Sequence, residues 1–220
     1  MRATRRRWLG WGALGLWVVL LVVVAVGSLD EHGRVERPPA RTADDRFVAA
    51  WKRSREATYY AKGTFERHSD LTGSSIGSED VVAQDPPRRL HRQMGGIEGR
   101  FDDRVLVCPS APGPDDPPCQ LGDPGGRTYA EDVAAEVASL RTLVEGARRV
   151  YSVRDAGPGC FALDQRRSAA GVPFGVRSRY CFDDATGALV EATVTYAGGI
   201  DEHLLVRDLR SEVREADFVP

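Results

Sequence analysis

The sequence contains no Asn, and Lys occurs only at Lys52 and Lys62, so its basic side chains are almost all Arg. Arginine forks suit phosphate, yet a genome rich in G and C produces the same bias with no phosphate ligand, and the composition favours that reading. Also absent are a Gly-x-Ser-x-Gly elbow, a His-Glu-x-x-His pair, a phosphate loop and a dinucleotide fingerprint. The sequence therefore points to no reaction, and a non-catalytic protein without a cofactor is expected. His32, His68, His91 and His203 are scattered, and no Cys-x-x-Cys pair accompanies them, which argues against a zinc site. No metal ligand is expected. The acidic pairs Asp44-Asp45, Asp102-Asp103, Asp115-Asp116 and Asp183-Asp184 fall at a helix start or in turns, where carboxylates meet backbone donors or water.

What is there begins with a long apolar run. From Trp8 to Leu29 no residue is charged, and about twenty apolar residues suffice to cross a bilayer as a helix. Arg2, Arg5, Arg6 and Arg7 precede the run while Asp30 and Glu31 follow it, which places the N-terminus in the cytoplasm. Ala25-Val26-Gly27 would serve as a cleavage site, but the run exceeds the about 7–15 residues of a secretory apolar region. The expected plan is a cytoplasmic tail 1–7, a single-pass membrane anchor 8–29, a Pro-Pro-containing linker 30–42 and an extracytoplasmic domain 43–220. No cysteine lies near the end of the run, so a lipid anchor is excluded. The formal net charge is −2, and setting aside the four N-terminal arginines takes it to −6. An acidic exported domain has no electrostatic reason to hold nucleic acid.

Outside the membrane, cysteines pair. Cys160 and Cys181 are symmetric about the Ala170–Gly171 bond, so a hairpin around that loop sets them opposite one another. Directly opposed antiparallel residues lie about 4.5 Å apart at Cα, within what a disulfide accepts. The same register opposes Asp164 to Arg177. It puts Phe161, Leu163, Val176, Tyr180 and Phe182 on one face, and the cysteines with Arg166, Arg177 and Arg179 on the other. Cys108 then pairs with Cys119 across a proline-rich loop. With Val194 and Tyr196 of the next strand, the apolar face is the candidate lining of an apolar ligand site; packing against helix 128–146 would instead make it ordinary core.

Coarse patterning predicts helices over 43–57 and 128–146, the second opened by Thr128 with Glu131 three residues on, a capping box. About nine strands joined by short turns predict an α+β fold with one antiparallel sheet covered by about two helices. The cluster Asp201, Glu202 and His203 follows Gly198-Gly199 and reads as a solvated turn.

An N-terminal helix with Trp51, a middle helix, the hairpin "YCFDDATGALVEA" and a terminus "DFVP" resemble the superfamily of LolA/LolB-type lipoprotein carriers. That superfamily includes LppX/LprG-like lipoproteins and RseB/MucB-type regulators of anti-sigma factors. The resemblance implies a curved antiparallel sheet, an incomplete barrel with helices on its concave side. It also implies either binding of a lipid or apolar ligand, or sensing of the envelope through a membrane-protein partner. The chain departs from the family in having no lipobox and in carrying four cysteines, and a permanent anchor argues against a shuttling carrier.

Overall fold

The computed structural model describes residues 42–93, 96–101, 104–108, 119–123, 126–168 and 173–219. The expected tail, membrane segment 8–29 and linker up to residue 41 lie outside these, as do Asp102-Asp103, Asp115-Asp116 and the Ala170–Gly171 bond. Among the described residues no helix is long and apolar enough to cross a membrane.

The chain runs α1 (Ala43–Glu56), β1 (Tyr59–Ser69), β2 (Ser74–Asp85), β3 (Arg88–Gln93), β4 (Gly96–Phe101), β5 (Arg104–Val107) and β6 (Gln120–Gly122). It continues through α2 (Tyr129–Val144), β7 (Tyr151–Asp155), β8 (Cys160–Gln165), β9 (Arg177–Phe182), β10 (Leu189–Tyr196), β11 (Ile200–Arg210) and a 3-10 turn, Glu215–Phe218. All eleven strands form one open sheet in the order β6-β5-β4-β3-β2-β1-β11-β10-β9-β8-β7. Every neighbouring pair is antiparallel. Among the described residues the fold is α+β with two helices.

Two strands exceed the expectation. The segment expected to form two strands after Pro87 forms three, because Phe101 pairs with Arg104 and starts β5. The other is β6, which pairs Leu121 with Leu106. Strands of four and three residues are too short to show alternation. The last strand also ends earlier than its pattern implies, at Arg210, and the chain then leaves the sheet.

Both helices start on a reciprocal cap. Thr128 accepts the Glu131 N–H while the Glu131 carboxylate accepts the Thr128 N–H, and Thr42 and Asp45 do the same for α1. The far end of α1 is closed by a strand residue. Gln84 of β2 is fully buried and donates its side-chain amide to the carbonyls of Ser54 (2.8 Å) and Ala57 (2.7 Å). Tyr129 donates its hydroxyl to the Arg55 carbonyl at 2.6 Å. Trp51 and Arg55 reach the two oxygens of Glu136 on α2 at 2.8 and 3.0 Å. The last carbonyls of α1, orphans in an isolated helix, thus fix its position on the sheet and on α2.

The sheet carries apolar clusters on both faces. Beneath the helices, Phe47, Val48, Val133, Val137, Leu140 and Val144 meet the inward residues of β7 to β10. On the other face Tyr60, Val81, Ala83, Leu90 and Leu106 are covered by Phe218 from the terminal turn. Cys108 and Cys119 pack against this second cluster, so their bridge does more than close a peripheral loop.

The β9–β10 connection has the expected form. Gly187 adopts φ +77° and the register shifts between Leu189 and Glu191. Asp183 accepts the Thr186 N–H at 2.7 Å and its hydroxyl at 2.8 Å, and these bonds hold the carboxyl below the usual Asp range. A depressed folded-state pKa contributes stability above the ordinary Asp value, and that stability is lost as pH falls through the folded value. Asp183→Asn is therefore expected to flatten the acid limb of the stability profile. Urea midpoints from about pH 7 to about pH 3 measure it, and an unchanged acid limb would show that the turn does not couple to folding.

Candidate functional site

Alternation along β8, β9 and β10 sends one set of residues toward the helices, as the register predicts. Cys160 pairs with Cys181, Phe161 with Tyr180 and Asp164 with Arg177. Phe161, Leu163, Tyr180, Phe182 and Val194 are all buried, and Tyr196 packs against them from a half-buried position. Val176 stands apart. It lies just before β9, half-buried, donates its N–H to the Thr195 carbonyl at 2.7 Å and is not part of the cluster.

Helix α1 covers this face as much as α2 does. Phe47 lies 5.6 Å from the Phe161 ring, 6.0 Å from Tyr180 and 6.4 Å from Phe182. Trp51, one turn on, is 5.6 Å from Tyr180 and 5.5 Å from Phe174. Phe174 and Tyr151 are further members of the cluster, and neither was expected from the pattern. Tyr151 gives its hydroxyl to the Gly175 carbonyl at 3.0 Å and accepts the Phe174 N–H, which tucks Phe174 inward. Burial pushes the Tyr180 hydroxyl well above its ordinary pKa. Tyr196 is raised to about 12 by burial and by Glu202, whose carboxylate accepts its hydroxyl at 3.0 Å. Both phenols stay protonated at neutral pH, and Tyr196 serves as a donor to Glu202.

Among the described residues an opening reaches the aromatic face. A cleft of about 620 Å³ lies between α1 and the turn that joins β7 to β8. Phe161 and Phe182 line it, with Ala49 and Ala50 of α1. Its rim carries two ion pairs, Arg46 to Asp155 at 2.5 Å and Arg53 to Asp184 at 3.7 Å. All four side chains are largely exposed, so these pairs are weak clasps. Gly159 shapes the floor. Its φ is +63°, and a Cβ there would lie 2.4 Å from the Phe182 carbonyl oxygen.

The opposite face of the hairpin holds the bridge. Cys160 and Cys181 are joined at a Cα separation of 4.0 Å, and Cys108 and Cys119 at 4.2 Å. Arg179 lies beside the first bridge, with one guanidinium nitrogen on Glu191 at 2.5 Å and the other 3.3 Å from the Cys160 sulfur. Asp164 is shared by Arg154 (3.4 Å) and Arg177 (3.6 Å). Asp201, Glu202 and His203 lie on β11 and not in the turn, which comprises residues 197–199. They do not converge: Asp201 accepts the Thr195 hydroxyl, and Glu202 faces Tyr196 and Arg67. Among the described residues no group of three or more His, Cys, Asp or Glu is placed to hold a metal ion.

No protein-family model matches the chain, and no curated protein matches it in sequence. Solved structures match at the level of fold and at low identity. MucB of Pseudomonas aeruginosa, in its complex with MucA, is 14% identical over 81% of this chain, with a TM-score of 0.43. This chain spans 61% of that MucB chain. A LolA-superfamily protein from Nitrosomonas europaea is 9% identical over 82% of this chain and 99% of its own, with a TM-score of 0.33.

Proposed function

We propose that the protein is a membrane-tethered, extracytoplasmic, non-catalytic domain that takes an apolar ligand, such as an acyl chain, between its sheet and α1. The tether is the single-pass segment 8–29, and two disulfides support a location outside the cytoplasm. The carrying observation is the cleft, which opens on Phe161 and Phe182 beneath a helix whose rim contacts are weak.

Curvature of the sheet supports this reading. β4 and β7 stand eight places apart, so a flat sheet would separate them by about 38 Å. Yet α2 reaches both. Asp132 pairs with Arg100 of β4 at 2.8 Å, and the Leu143 carbonyl accepts the Val150 N–H beside β7 at 2.8 Å. Those two helix positions are only about 16 Å apart along the axis. An extended arginine does not span the difference, which supports a sheet bent around the helices as an incomplete barrel. A concave, mostly apolar surface is the usual form of a small-molecule site.

Organic extraction of the purified protein, followed by mass spectrometry, tests the proposal. Co-purifying acyl lipid is expected, and Ala49→Trp, which fills the mouth of the cleft from an exposed position, is expected to lose it. A chain that extracts clean in both forms ends the reading. One observation favours a protein-binding role instead: the β1–β2 hairpin exposes Leu71 (80%) at its tip and Ile76 (53%) beside it. Crosslinking in native membranes to a stoichiometric membrane protein, with no extracted lipid, would select that role.

A further inference from the structure

The chain leaves the sheet at Ser211 and lies across the face opposite the helices, away from the proposed apolar site. Phe218, 7% exposed, is its anchor among Tyr60, Val81, Ala83, Leu90 and Leu106, and its ring lies 6.0 Å from that of Phe101. Two arginines hold the segment by the same device. Arg88 stacks on the Phe218 ring, its guanidinium carbon 4.5 Å from the centroid, and donates one nitrogen to both oxygens of Glu215 at 2.9 and 3.0 Å. Arg210 stacks on Tyr60 at 3.9 Å and donates to Asp217 at 2.9 Å. The second Asp217 oxygen accepts the Arg214 N–H at 2.7 Å, which closes the turn.

The backbone of the segment contributes little. Among the described residues its backbone hydrogen bonds, such as Asp217 N–H to Arg214 C=O, are internal, and none joins residues 213–219 to a strand. A segment held by side chains alone opens without breaking a sheet ladder, which places it at the low-stability end of the structure. Its contacts are also those of peptide recognition. An aromatic anchor fills a desolvated pocket, and two carboxylates two residues apart meet two fixed guanidinium groups.

We infer that this groove is a recognition site for an acidic peptide segment of the form Glu-x-Asp-Phe. Residues 211–219 are its resident occupant, exchangeable with such a segment of a partner protein. Charge and shape both select that chemistry: Arg88, whose other nitrogen meets Asp85 of the sheet at 3.2 Å, and Arg210 each offer a guanidinium nitrogen to a carboxylate of the segment, and the pocket between Tyr60 and Phe101 takes one aromatic side chain.

The full-length chain, solubilised from membranes, is titrated against a labelled synthetic peptide with the sequence of residues 211–220, read by fluorescence anisotropy. Phe218→Ala releases the resident anchor, so that chain binds the peptide at least about tenfold more tightly than the parent, whose tethered tail competes at high effective concentration. Arg88→Ala in the Phe218→Ala background abolishes binding, and a peptide with Ala in place of its Phe does not bind. Glu215→Gln, which loosens the tail from a side chain 83% exposed, raises binding in the same direction and serves where Phe218→Ala fails to fold. If a folded variant with a loosened tail binds no more tightly than the parent, or if Arg88→Ala leaves binding intact, the face is a closed core and the inference is overturned.

Discussion

Replacing Cys160 or Cys181 with Ala is expected to lower the stability of the domain by about 2–5 kcal/mol and to leave one free thiol. The bridge joins directly opposed residues of β8 and β9 at a Cα separation of 4.0 Å, and both cysteines are at least nine-tenths buried. A variant with a single cysteine therefore loses a constraint on the unfolded chain and leaves a thiol in a site shaped for two sulfurs. The strands it ties also carry Phe161, Leu163, Tyr180 and Phe182, so register and core fail together: a slip of one residue would turn every one of these side chains to the wrong face. Equilibrium urea unfolding under non-reducing conditions measures the loss, with thiol titration as the check on pairing. A change below about 1 kcal/mol would mean that the hairpin holds its register without the bridge. Loss of the Cys108–Cys119 bridge is expected to matter less, because β5 and β6 lie at the edge of the sheet.

Local pairing was the most legible part of this fold. The β8–β9 register follows from cysteine symmetry, the Asp164–Arg177 match and alternation, and each is a property of adjacent residues. The helix over Tyr129–Val144 is equally local, since Thr128 and Glu131 announce its start and Val133, Val137, Leu140 and Val144 its buried stripe. The same cap signal, Thr42 with Asp45, stands before α1 and was readable there too. What alternation cannot state is which element lies over a face. It placed Phe161 and Tyr180 together, but the choice of Phe47 and Trp51 as their cover depends on where α1 is held, through Gln84 and Glu136, far along the chain. The second apolar cluster was hidden for the same reason. Tyr60, Ala83 and Leu90 belong to three strands, and the residue that covers them, Phe218, sits in a segment with no regular pattern. The contacts of α2 with Arg100 of β4 and with Val150 beside β7 likewise emerge only in the folded chain, since these residues lie far apart in sequence.

Phe47→Ala is expected to cost about 3–5 kcal/mol. Phe47 is fully buried, and its ring lies within 6.4 Å of five others: Trp51, Phe161, Phe174, Tyr180 and Phe182. Such a site cannot collapse around a methyl group, because its walls come from α1 and from strands that the Cys160–Cys181 bridge holds in place. The cavity therefore persists, and its cost adds to the lost transfer energy of the ring. Urea unfolding should show a lower midpoint with an unchanged slope, and near-ultraviolet circular dichroism should report the lost aromatic packing. Leu71→Ala, at a position 80% exposed, is the matched control and should leave the midpoint in place. The variant also separates the two roles of this face. If α1 is a lid over an apolar ligand, added acyl lipid should restore much of the lost stability, since a ligand that fills the cavity binds the folded state alone. If the face is only core, Phe47→Ala should stay destabilised at every lipid concentration, and the ligand reading would fall while the fold stood.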